Sequence, residues 1–209
     1  VRCTVCTLRD VCRGAGDGFR STPHLSQRHR HLPPLLVVLG RFLAIAVERA
    51  LTAFMRAVVQ RVKEASVSVD GDVVGAIGVG FLVLVCAMEG DADSDVAWLR
   101  AKLPALRVFP NDAGRFDRSL TDVGGALLVV SQFTLAAELS PGRSKGNRPA
   151  FTGAEAPDAA AARVAALAAG LRADGVVVET GRFGAHMDVA LINDGPVTLW
   201  LDSRPGTVA

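Results

Sequence analysis

With 209 residues, half of them hydrophobic and 21% charged, the chain can bury a core of its own and is not a low-hydrophobicity disordered polypeptide. No apolar run reaches the ~18 residues of a membrane-spanning helix, and the longest, residues 35–47, is broken by Gly40 and Arg41. The first 54 residues hold eight Arg against three acidic groups, a balance of +5 that leaves −3 on the rest, so the overall charge of +2 is no argument that the main domain binds nucleic acid.

That first stretch has no sustained helical or strand period. It carries Cys3, Cys6 and Cys12 and three of the four histidines. Cys3-x-x-Cys6 followed by His24 and His29 offers zinc-binding residue types. The seventeen residues between the pairs are too many for a usual finger, however, and no apolar pattern accompanies them. Residues 1–54 are therefore expected to be a poorly ordered extension, or to lie upstream of a true start at Met55, and the folded domain to occupy 55–209.

From Met55 the pattern becomes regular. Arg56–Lys63 and Ala65–Val69 are predicted strands, the second alternating Val67 and Val69 with Ser66 and Ser68 before an Asp70-Gly71 turn. Asp72–Ile77 should return antiparallel. Phe81–Met88 is a continuous apolar run, as expected of an interior strand, and includes Cys86, a buried thiol of a reducing, cytoplasmic compartment. Asp91, Asp93 and Asp95 have calcium-loop spacing, but Val96 and Lys102 stand where such a loop needs Gly and Glu. The spacing instead predicts Asp and Ser capping a helix that turns Val96, Leu99, Leu103 and Leu106 inward and is shortened by Pro104. Arg107–Phe109 opens a strand, residues 111–114 form a turn, and Ala126–Ser131 is a second interior strand. A polar loop follows over 140–153, then an Ala-rich helix over Pro157–Arg172. Val176–Thr180, Met187–Asn193 and Val197–Asp202 close the domain as strands. Helices interrupting runs of strands, without strict βαβ alternation, predict an α+β fold.

Most familiar catalytic devices are absent. There is no phosphate-binding glycine loop, no nucleophile elbow and no metal-ligand cluster in 55–209, so neither cofactor nor metal is expected. His186, the one histidine of the domain, is expected at the surface. Two segments stand out. Ser131-Gln132-Phe133-Thr134-Leu135 brings hydroxyl, amide and backbone N–H groups to the end of an apolar strand, where they can bind an oxyanion or simply end the strand. Asn193-Asp194-Gly195-Pro196-Val197-Thr198 has the composition of a hairpin turn, with a Gly-Pro bond for which the cis form costs little.

These two segments, with Met55–Val62, Ala65–Val69, Gly146–Pro149, Phe151 and Thr180–Ala185, run in an order that resembles the D-aminoacyl-tRNA deacylases of bacteria and eukaryotes from Met55 to about Ser203. The resemblance implies a layered β/β/α domain of mixed sheets with two main helices, working as a homodimer with active sites at its interface. It implies hydrolysis of the ester of D-aminoacyl-tRNA, and of glycyl-tRNA including glycine mischarged on tRNA-Ala, with neither DNA nor membrane as partner. Ser131, Gln132, Phe133 and Thr134 would line the catalytic pocket, with the Gln132 and Phe133 main-chain amides as oxyanion donors. Gly195 and Pro196 would enter the partner's pocket as a main-chain gate against L side chains. Arg143, Lys145 and Arg148 would contact tRNA phosphates. The activating group would be Thr134 or the 2′-hydroxyl of the tRNA. The alternative is a binding module of the same fold that holds tRNA or a D-amino acid without cleaving it.

Overall fold

Two apolar runs set the centre of the fold. In a computed structural model, which describes residues 54–139 and 147–203, β3 (Gly80–Cys86) and β6 (Ala126–Ser131) lie side by side and parallel, from Gly80 opposite Ala126 to Val85 opposite Ser131. Each has a strand on its other side as well, so both faces and both edges are covered and nearly every residue is apolar. The expectations for residues 1–53, and for Arg143 and Lys145, lie outside the described residues.

The strands expected at Arg56–Lys63 and Ala65–Val69 are one strand, β1 (Arg56–Val69). Its first half pairs antiparallel with β3, and its second half pairs with β2 (Asp72–Ile77) across the Asp70-Gly71 turn. The exposed Lys63 and Glu64 mark the join, beside which the register against the last strand shifts. β7 (Val177–Thr180) adds parallel to β6.

The side chains divide into two cores because alternate residues of a strand face opposite ways. On one face, Ala57, Val59, Phe81, Val83, Val85, Leu127 and Val129 meet the helices α1 (Asp93–Ala105) and α2 (Pro157–Ala173) through Leu99, Leu103, Leu167 and Leu171. Each of these fully buried leucines contributes about 1.5–3 kcal/mol of burial. On the other face, Leu82, Leu128 and Val130 pack against Val62, Ala65, Val67 and Ile77, which belong to the second half of β1 and to β2. The sheet thus folds over itself, and the layers are strand, strand, helix. Gly75 permits this closure: a Cβ there would lie 2.9 Å from the carbonyl oxygen of Thr180 on β7.

The start of α1 differs from the expectation. Ala92 occupies the N-cap position, and the cap comes from inside the helix, where the Asp95 carboxylate accepts the Ala92 N–H at 2.8 Å. Asp91 instead turns into the protein and accepts the Met88 N–H at 2.7 Å. Pro104 falls in the last turn, and the chain leaves the helix at Leu106.

The larger correction is at the C-terminal end. Met187–Asn193 and Val197–Asp202 are not two arms of a hairpin. They belong to one strand, β8 (Asp188–Asp202), antiparallel to β1 along its whole length, with Thr198 opposite Gln60 and Asn193 opposite Val62. The four residues between, Asp194 to Val197, have only Arg61 across from them and are pushed out of the ladder as a bulge. The chain does not reverse there because both flanks pair with the same strand.

Candidate active site

The parallel ladder of β3 and β6 ends at Ser131, and one further bond, from the Gln132 N–H to the Val85 carbonyl at 2.7 Å, extends it. The chain then enters a short 3₁₀ turn, Phe133–Ala136, tied down by a 2.9 Å hydrogen bond from the Arg56 guanidinium to the Leu135 carbonyl. A cavity of about 640 Å³ opens at this strand end. Its floor is Val85, Cys86, Ser131 and Gln132. One wall is the N-terminal part of α2 with Glu155, and another is the segment Phe183–Met187. Phe133, 60% exposed, stands at the mouth in edge-on contact with Phe151, their ring centroids 5.2 Å apart.

The expected oxyanion donors need one revision. The Gln132 N–H is already committed to Val85 and is not available to a substrate. Among the described residues no acceptor is found for the N–H groups of Phe133 and Thr134, the first two of the 3₁₀ turn. Thr134, expected in the pocket with Ser131, Gln132 and Phe133, is not among the residues that line the cavity; it is exposed, and its hydroxyl accepts a hydrogen bond from the Gln132 side-chain amide. No carboxylate or imidazole contacts that hydroxyl among the described residues, so it lacks the neighbouring base an activated nucleophile requires.

Cys86, on the cavity floor, is a packing residue: burial pushes its thiol up to about 11, far from the thiolate state. Behind it, burial pushes the Asp91 carboxyl up to about 7, and its Oδ1 has no hydrogen-bond partner among the described residues. Glu155, on the α2 side, is held by Arg163, whose Nε–H is shared between the two carboxylate oxygens at 2.9 and 2.7 Å.

The second motif forms a separate construction. Asn193 staples the bulge at its base: its Oδ1 accepts the Val197 N–H at 2.9 Å, and its Nδ2 reaches the Thr198 hydroxyl at 3.2 Å. Val197 is buried as an anchor, whereas Gly195 and Pro196 project outward and are exposed. The Gly195-Pro196 peptide is cis. Gly195 has φ +135°, and a Cβ there would meet Val197 Cγ2 at 2.8 Å and the Arg61 guanidinium at 3.1 Å, so only glycine fits.

Arg61 holds this construction from beneath. Its side chain is buried, its Nε lies 3.0 Å from the Asp194 carbonyl and 3.1 Å from the Asp194 carboxylate, and its Nη1 donates to the Val108 carbonyl. No motif marks this residue in the sequence. Its signal was strand parity: Ala57, Val59 and Arg61 share the inward face of β1, and an arginine on such a face must have partners.

Neither Gly195 nor Pro196 lines the cavity. Arg61 lies opposite Phe81 and Arg56 opposite Cys86, so the bulge and the cavity are separated by five residues of strand, or roughly 17 Å. His186 is exposed, as expected, and also lines the cavity, which its neighbours in sequence do not suggest. Arg148 is exposed beside the backbone pair of Glu138 and Ala150 that closes the base of the polar loop.

Known proteins match the stretch of chain that carries both constructions. The profile of the D-Tyr-tRNA(Tyr) deacylase family matches residues 58–202. The D-aminoacyl-tRNA deacylase of Dinoroseobacter shibae is 57% identical over 148 residues, covering 71% of this chain and 99% of the relative. That of Ruegeria pomeroyi is 57% identical over 149 residues, again 71% and 99%. A solved structure of a c-Myc DNA unwinding element binding protein superposes with a TM-score of 0.64 at 37% identity, over 70% of this chain and 97% of that one. With its strand-end cavity, its stapled bulge and its matching sequence, the chain belongs to the D-Tyr-tRNA(Tyr) deacylase family.

Proposed function

We propose that the protein hydrolyses the ester linking a D-amino acid to tRNA, and that it does so as a homodimer in which the Gly195-Pro196 bulge of each subunit enters the other's cavity. The observation that carries this reading is the separation of the two motifs. Within one chain Gly195 and Pro196 do not line the cavity, which is roughly 17 Å distant along the sheet, so a site that uses both needs two copies. The exposed Val189, Leu191, Ile192 and Trp200 lie on β8, the strand that bears the bulge, and provide apolar surface for such a contact.

In the cavity, the aromatic pair Phe133 and Phe151 offers rings on which the terminal base can stack. The ester carbonyl oxygen points at the N–H groups of Phe133 and Thr134. Water adds to the carbonyl carbon, negative charge gathers on that oxygen, and the two N–H groups stabilise it. The ribose oxygen then leaves and takes up a proton. With no base beside Thr134, the tRNA's own 2′-hydroxyl serves better as the activating group. Main-chain carbonyls of the partner's bulge grip the α-amino group and leave no space for an L side chain, which is selection by steric exclusion. Arg148, with Arg143 and Lys145 of the same polar loop, contacts acceptor-stem phosphates without reading sequence.

The test is hydrolysis of matched D- and L-aminoacyl-tRNA by the purified full chain. Release of the D-amino acid with the L-ester left intact is expected. Equal rates on both, or tRNA binding with no release, would refute the reading.

A further inference from the structure

Arg61 is held in its plane by three oxygen atoms, two of Asp194 at Nε and one of Val108 at Nη1, and the faces of its guanidinium are not bare either. Its Cζ lies 5.9 Å from the ring centroid of Phe109 and 5.5 Å from that of Phe116. Phe109 is buried and backed by Phe81, with ring centroids 5.0 Å apart. Phe116 is 59% exposed, so core packing does not account for it. It sits on β5 (Phe116–Arg118), which pairs with β4 (Phe109–Pro110) in a two-stranded ribbon outside the main sheet.

That ribbon is braced well beyond what its length would supply. The Asn111 carboxamide oxygen accepts the N–H groups of Ala113 and Arg115 at 2.9 and 3.1 Å, which fixes the turn. Arg107 bonds both the Asp117 carboxylate and the Asp117 carbonyl, and Arg118 pairs with Asp112. The bracing fixes the residue on either side of Phe116, and so the ring.

We infer that Phe116 is a positioning residue for the Gly195-Pro196 bulge: its ring covers Arg61 and strengthens the grip of that arginine on Asp194. A cation over an aromatic face is attracted by the ring quadrupole. The ring also keeps water from the guanidinium, and a charge pair is stronger where water is excluded. The Asp194 carboxylate is 35% exposed, so this shielding is what separates a firm contact from a surface pair of little worth. The consequence for selectivity rests on the function proposed above; the anchoring itself does not.

Two readouts on the full chain test this. The first is amide exchange at Val197, whose N–H is bonded to Asn193 inside the bulge and reports its opening without any substrate. Phe116→Ala should speed that exchange about fivefold, the scale of one exposed cation–π contact, and Phe116→Trp should restore it. The second is the ratio of kcat/KM for D-aminoacyl-tRNA over L-aminoacyl-tRNA, which should fall in Phe116→Ala, as the loosened bulge admits an L side chain, and recover in Phe116→Trp. Exchange at Val197 that is unchanged in Phe116→Ala overturns the proposal whether or not the protein is a deacylase. Faster exchange with an unchanged ratio supports the anchoring and removes the bulge from substrate selection. Phe116→Leu, which keeps apolar cover but has no quadrupole, replaces the alanine variant if that one does not fold; it should speed exchange at Val197 too, and unchanged exchange there counts equally against the proposal.

Discussion

Replacing Arg61 with methionine removes the guanidinium while keeping a long apolar stem beneath the bulge. The Val108 carbonyl then loses its buried donor, which costs about 1–3 kcal/mol. The Asp194 carboxylate loses its partner and its carbonyl a charged donor, for roughly another 1–2 kcal/mol after allowance for solvent at the exposed aspartate. The stack with Phe109 adds about 0.5–1 kcal/mol. A loss of about 3–5 kcal/mol agrees with what breaking a buried pair by removing one partner usually costs. For a domain of this size it corresponds to a fall in Tm of roughly 6–20 °C. Thermal unfolding of the purified protein measures it. Arg61→Lys should recover only part, because an ammonium cannot reach the Asp194 and Val108 oxygens together as the planar fork does. D-ester hydrolysis should fall in both variants even at temperatures where they are folded. An Arg61→Met protein with wild-type Tm and wild-type D-activity would refute the claim that this arginine holds the bulge.

The raised Asp91 carboxyl makes folding take up a proton between about pH 4 and pH 7, so its contribution to stability declines as pH rises through that window and is lowest above it. Asp91→Asn, whose carbonyl can still accept the Met88 N–H, should be about 2–4 kcal/mol more stable than wild type at pH 8 and equal to it near pH 4; urea titrations giving parallel pH curves for the two would count against it. Gly195→Ala should fold with about 1–3 kcal/mol of added strain in the bulge and lose D-ester hydrolysis well before it loses secondary structure by circular dichroism. Thr134→Ala should cost much less than the ~100-fold that follows loss of an oxyanion donor, and a dead enzyme that still binds substrate would reinstate the hydroxyl as nucleophile. Glycyl-tRNA, having no side chain to exclude, should be hydrolysed in the same assay, and an enzyme active on D-esters but inert on glycyl-tRNA would rule out a purely steric gate.

What could be read from the residues was whatever local chemistry decides. Phe81–Met88 and Ala126–Ser131 announced interior strands because a strand covered on both faces has no polar positions to interrupt it, although the first ends at Cys86, two residues short of its apolar run. The Ala-rich helix began where Pro157 allowed it. Both signature segments were found, yet their constructions were not. Gly-Pro is ordinary turn punctuation, and nothing local says that the segments on either side pair with one strand, so β8 was divided into two. The Gln132 N–H was counted as free because its acceptor, Val85, is distant in sequence and adjacent only through the parallel ladder. Arg61 was hidden the same way, since each of its partners comes from another element. The spacing called for Asp and Ser to cap the helix without saying which aspartate, and the chain uses Asp95 for that purpose and leaves Asp91 inside.

β8 gives the molecule a property that neither motif has alone. The bulge is carried on a strand that, among the described residues, pairs only with β1 and exposes Val189, Leu191, Ile192 and Trp200. If two copies join along this strand, the surface that assembles the enzyme and the element that inspects the substrate are one piece of chain. A subunit that separates from its partner then has an empty cavity and no inspector, and it cannot hold the substrate's amino group. Dilution would silence such an enzyme rather than make it careless, and correctly charged L-aminoacyl-tRNA would stay safe from stray single subunits.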